Sequence, residues 1–113
     1  MHVIENMIAK QTGFFIEKKF VISGVMDPAI VLKRLALKES YKYKFTDSIH
    51  SSGDWHYTEI AFNYKGKQYK TTVWTEKSRR GVLVSLVTPY KRGSAQTAHD
   101  MLNDFSSTLA HLV

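Results

Sequence analysis

Between Tyr41 and Pro89 the chain alternates apolar and polar residues in short runs separated by turn chemistry. Tyr41, Tyr43, Phe45 and Ile49 fall on one side of an extended chain, with Lys42, Lys44, Thr46, Ser48 and His50 on the other. A period of two predicts a strand with one buried and one wet face. Asp47 interrupts the apolar row, which places it at a fraying end or a bulge. Ser51-Ser52-Gly53-Asp54 reads as a turn. Trp55 to Lys65 is the next predicted strand, with Ile60, Phe62 and Tyr64 on one side. Lys65-Gly66-Lys67 is a tight hairpin connection with Gly66 in the left-handed position. Gln68 to Glu76 follows, rich in Thr, Val, Tyr and Trp. Lys77 to Gly81 is a turn. Val82 to Thr88 is apolar on both faces and is expected to be an interior strand covered on both sides. Pro89 ends it.

Upstream, Phe14, Ile16, Phe20 and Ile22 alternate, with Lys18 interrupting the row, and predict a strand from Phe14 to Ser23. Asp27 as N-cap and Pro28 in the first helical position open a helix that should stop near Glu39. Its apolar stripe is Val31, Leu32, Leu35 and Ala36. Met1 to Thr12 is ambiguous. Val3, Ile4, Met7 and Ile8 fit a short amphipathic helical turn, and a flexible or partner-docked segment fits equally. The strongest helical pattern lies at the C-terminus, where Ala98, Met101, Leu102, Phe105, Leu109 and Leu112 recur at three and four. Ser94 is the expected N-cap, with Thr97 and Asp100 as a capping box one turn on. Burying that stripe stabilises the fold by about 1.5–3 kcal/mol per large side chain before entropy is subtracted.

The order β-α-β-β-β-β-α predicts one α+β domain over residues 1–113. Its expected form is a five-stranded antiparallel sheet, ordered 2-3-4-5-1, curled around the long C-terminal helix. One helix cannot close both faces, so the outer face should stay partly exposed. The arrangement resembles the helix-grip family of folds, which includes small lipid-binding domains and repeat domains of some bacterial envelope lipoproteins. The resemblance lies in element order from Phe14 onward, rests on no residue motif and carries no functional residues across.

Composition narrows the chemistry. The chain of 113 residues has no cysteine, which removes disulfides, Cys-ligated zinc, iron–sulfur clusters and thiol catalysis together. Its first residues hold no apolar run long enough for a signal peptide or membrane span. A cytoplasmic protein has this look, as does a periplasmic or envelope protein stripped of its leader. A net charge of +6 is compatible with plain solubility or with an anionic partner.

Three groups of side chains are candidates for function. Lys65, Lys67, Lys91 and Arg92 should gather at one end of the sheet, with Lys38 and Lys42 near and Arg79 and Arg80 at the other end. Interleaved with Tyr64, Tyr69 and Tyr90, they could hold phosphates or stack bases, although solvated hairpin tips carry the same residues. If Ile60 and Phe62 face the helix, then Trp55 and Tyr57 face outward, and Trp74 shares a face with Lys70 and Thr72. An outward Trp/Tyr patch would be a docking or stacking surface; a slipped register would instead make these residues core. His50, His56 and Asp54 flank the first turn, but their spacing matches no ligand pattern, and no metal or cofactor is expected. No base, orienting partner and nucleophile converge, so the reading leans against an enzyme. Three classes survive. They are a binding or assembly module with a protein partner or a second copy, a basic nucleic-acid-binding protein, and a small enzyme with an inter-element pocket.

Overall fold

The computed structural model describes the backbone of residues 4–12 and both backbone and side chains of residues 14–112. The fold is α+β, an antiparallel sheet with two helices on one face. The strands are β1 (Ile4–Thr12), β2 (Phe15–Ile22), β3 (Tyr43–Phe45), β4 (His50–Ser52), β5 (Trp55–Tyr64), β6 (Lys67–Ser78) and β7 (Gly81–Pro89). The helices are α1 (Pro28–Leu37) and α2 (Ala95–Leu112). The sheet runs β1-β2-β7-β6-β5-β3, with the short β4 also paired to β5 beside β3.

Three departures from the sequence expectation have local causes. Ile4–Thr12 is an extended edge strand against β2, not a helical turn. The pairing slips between Glu5 and Ile8, and that irregularity breaks the period of two. The expected five strands therefore gain a sixth at the β2 edge. The run from Tyr41 to His50 is also two pieces. Asp47 folds back to accept from the Ser48 amide at 2.8 Å and pairs with His50 Nε2 at 2.9 Å. The Thr58 hydroxyl then donates to the carbonyls of Asp47 and Ser48 across the gap, both at 3.1 Å. β4 itself extends through Ser52, so the turn is only Gly53 and Asp54. Finally, the Ser94 hydroxyl does not cap α2. It bridges the amide and carbonyl of Lys91, while the Ser94 carbonyl accepts from Ala98. Asp100 accepts from the Gln96 side chain rather than closing a box with Thr97.

The other turns follow their residues. Asp27 Oδ1 accepts from the Ala29 amide at 2.9 Å, and Pro28 opens α1. Tyr64 pairs Lys67 across a two-residue turn in which both Lys65 (φ 49°) and Gly66 (φ 77°) are left-handed. That is the hairpin geometry whose twist matches the strands. Gly81 (φ 150°) closes the β6–β7 turn against β2; a Cβ there would lie 2.1 Å from the Ile22 carbonyl oxygen.

Both helices lie on the inner face. Phe105 of α2 stacks on Phe62 of β5, with centroids 4.5 Å apart. The Tyr43 hydroxyl donates to the Leu35 carbonyl of α1 at 2.7 Å, and Thr75 Oγ1 donates to the Pro28 carbonyl at 3.0 Å. Ile16, Phe20, Ile22, Ile60, Val73, Val84 and Leu86 fill the space beneath the helices and are fully buried. The space between sheet and helices is thus packed with side chains at these positions. β7 is interior in hydrogen bonding, flanked by β2 and β6. It is helix-covered on one face only, with Leu83 and Val87 half-buried on the other.

Candidate functional site

The outer face carries the aromatic residues. Even-numbered positions of β5 point to the helices, so Trp55 and Tyr57 point away from them. Cross-strand register sets Tyr57 opposite Trp74 of β6 and opposite His50 of β4. The four rings form one continuous stack. Centroid separations are 4.9 Å for His50–Tyr57, 5.7 Å for Tyr57–Trp74, 4.7 Å for Trp74–Trp55 and 5.8 Å for Trp55–Tyr57. All interplanar angles are 30° or less. Offset stacking of this kind adds about 0.5–1.5 kcal/mol per pair beyond area burial. Trp55, Tyr57 and Trp74 are half-buried, sheltered by one another rather than by a covering layer.

Beside the stack lies a shallow depression of about 320 Å³ floored by Thr72, Ser85 and Val87, with Trp74 as one wall and Glu17 and Glu76 at its rim. Glu76 accepts from Trp74 Nε1 at 3.4 Å, and Glu17 lies 3.8 Å from Lys19. Sequence reasoning missed His50 as a member of the stack and the two flanking glutamates. Counting back from the short Gly53-Asp54 turn would have set His50 opposite Tyr57.

The basic residues are dispersed more than expected. Lys67 and Lys91 line a common notch, joined by Lys70. Lys65 and Arg92 are exposed and do not line it. Lys42 is held by Asp104 at 3.0 Å, and Lys38 donates to the last turn of α2 at Leu112. Arg79 and Arg80 sit at the far end of β6, beyond Ser78.

The histidines have small local partners. His50 pairs with Asp47, whose carboxyl is held below its ordinary range by that bond and the Ser48 amide. His56 meets Ser51 Oγ. Among the described residues no three metal-ligating side chains converge. Two titratable groups are buried on the inner face instead. Lys18 donates to the Asn103 side chain from beneath α2, and burial lowers its pKa. Burial, with Glu39 adding to it, raises the Tyr43 pKa to about 12.

The fold and this face define an α+β protein with an open, aromatic-bearing sheet. No protein-family model and no curated protein matches the chain. No described helix is long and apolar enough to cross a membrane.

Proposed function

We propose that the protein is a non-enzymatic binding and assembly module with a helix-grip-like plan, whose partner protein docks on the outer sheet face. One observation carries this reading. Trp55, Tyr57 and Trp74 stack in the open on the face opposite both helices, and no described element covers them. Aromatic rings held rigid by one another lose little entropy on contact, which is why Trp and Tyr dominate binding hot spots. The depression beside Trp74 would seat an apolar side chain of the partner; Glu17 at its rim is shared with Lys19, so Glu76 is the carboxylate that favours a basic residue next to it. The packed space between helices and sheet turns the reading away from the sheet–helix groove.

The test compares wild type with a Tyr57→Ser, Trp74→Ala double variant. Sedimentation over a wide concentration range reads self-association, and affinity capture from the source cell reads a foreign partner. The expected result is an association present in wild type and lost in the variant, with the fold retained by circular dichroism. A wild-type protein that stays monomeric, and captures the same proteins as the variant, would overturn the proposal.

A further inference from the structure

A second feature lies away from the aromatic stack and is independent of the sheet-face reading. The β6–β7 ladder begins at Thr72 and Val87, whereas β6 itself starts at Lys67. The first residues of β6 therefore run on with no β7 partner. Pro89 has no amide to extend the ladder, and the Tyr90 amide turns away to donate to the Phe14 carbonyl at 2.8 Å. The Lys70 carbonyl takes the Thr88 hydroxyl at 3.0 Å instead. The two segments splay and leave a notch of about 290 Å³, at the small end of the range for ligand pockets.

The lining of this notch has a definite chemistry. Tyr69 and Tyr90 pack against the core and supply aromatic walls, with Pro89 also lining the notch. Three exposed lysines, Lys67, Lys70 and Lys91, are among its lining residues. None of the three makes an ion pair among the described residues, and no carboxylate lines the notch. Lys67 lies 5.4 Å over the Tyr69 ring, so cation and ring are already adjacent. The positive end of α2, an 18-residue helix with no acidic residue in its first turn, starts just past Ser94 on the same rim.

We propose that this notch binds a phosphate ester carried on a planar ring, that is, one nucleotide, either free or as a residue of a single strand. Three lysines suit a phosphate, which carries more charge than a carboxylate and accepts from several point donors at once. Tyrosine walls stack on any base, so the site would be tolerant of sequence.

The experiment is an amide-resolved NMR titration at about 20 mM salt, where surface charges are poorly screened. The probes are AMP, adenosine, inorganic phosphate and a short mixed-sequence single-stranded DNA. AMP perturbing residues 67–70 and 90–94 supports a free nucleotide; perturbation of the same residues by the DNA alone supports a strand. In either case a Lys70→Glu, Lys91→Glu variant should bind about tenfold more weakly. Lys33→Glu, an exposed change on α1, should shift binding less than about twofold. All variants are checked for an unchanged fold by their spectra. No perturbation by AMP or DNA overturns the proposal, as does adenosine binding as tightly as AMP. Inorganic phosphate matching AMP overturns it as well, because the ring would then contribute nothing. Lys33→Glu weakening binding as much as the double variant would show mere net charge and overturn the site.

Discussion

The two faces of this sheet are built from different materials. The inner face is apolar, aliphatic residues with Phe20, Tyr43 and Phe62 among them and four buried threonines at positions 58, 71, 75 and 88, and it meets both helices. The outer face carries stacked rings, glutamates and lysines, and meets no described element. On the inner face each large side chain is held by many neighbours, so it specifies the fold. On the outer face Trp74 is held mainly by Tyr57, Trp55 and Glu76. Its bulk exceeds what the fold needs, and bulk beyond that need is where a binding role can sit.

The largest effect that separates the faces is truncation of an aromatic on each. Phe105→Ala should cost about 3–5 kcal/mol, because it opens a cavity against Phe62 in a closed core. Trp74→Ala should cost about 1–3 kcal/mol, chiefly the two lost stacking contacts, since its site already borders solvent. Urea unfolding of both variants measures the difference. Equal losses would break the contrast and make the outer stack a structural layer.

A smaller and opposite pair sharpens the inner face. Thr58 donates to two carbonyls and so ties down the Asp47 loop, while Thr71 Oγ1 is buried with no partner among the described residues. Thr58→Val should lose about 1–2 kcal/mol by leaving those carbonyls short of a donor. Thr71→Val keeps the shape, removes an unpaired hydroxyl and should gain about 0.5–1 kcal/mol. Thermal melts of the two variants should move in opposite directions; a fall for both would mean Thr71 has a bonding role.

Much of this sorting was legible in the residues. Alternation in β5 put Ile60 and Phe62 on one face and Trp55 and Tyr57 on the other, but left open whether a slipped register buried the aromatics; the helices cover the Ile60 and Phe62 face. Asp27-Pro28 marked the start of α1, and the three-four repeat marked α2. What escaped depended on pairings that the alternation of residues does not record. Ile4–Thr12 is a strand because β2 offers it a free edge, and its slipped register disguises the period. Asp47 splits a strand that alternation alone would run through. The notch at Lys67 exists because β6 outruns β7, a length difference no local pattern records. Ser94 finds Lys91 before it finds the helix amides, a local contact that the capping pattern did not weigh.

The faces should also differ in the pH at which they respond. Tyr43 lies under α1 with its hydroxyl on Leu35, and its pKa is raised from 10.0 to about 12. Between those values the unfolded chain gives up the proton and the folded one keeps it. The stability that Tyr43 contributes is therefore present below pH 10 and is lost as pH climbs toward 12. Lys18, also on the inner face, works against this at lower pH. Its lowered pKa lets the folded protein shed a proton first, so stability rises with pH between the folded value and the ordinary 10.5. On the outer edge the sign is that of Lys18, at acid pH. Asp47, exposed and bonded to His50, contributes stability above its ordinary 3.8 that fades as pH falls through its lowered folded value. Tyr43→Phe should cost about 1 kcal/mol near neutrality through the lost hydrogen bond, and should flatten the alkaline decline. Asp47→Asn should leave that decline untouched and soften only the acid limb, by less in high salt. Denaturant midpoints from acid to alkaline pH, at fixed ionic strength, check both, and an alkaline limb unchanged in Tyr43→Phe would place the responsible group elsewhere.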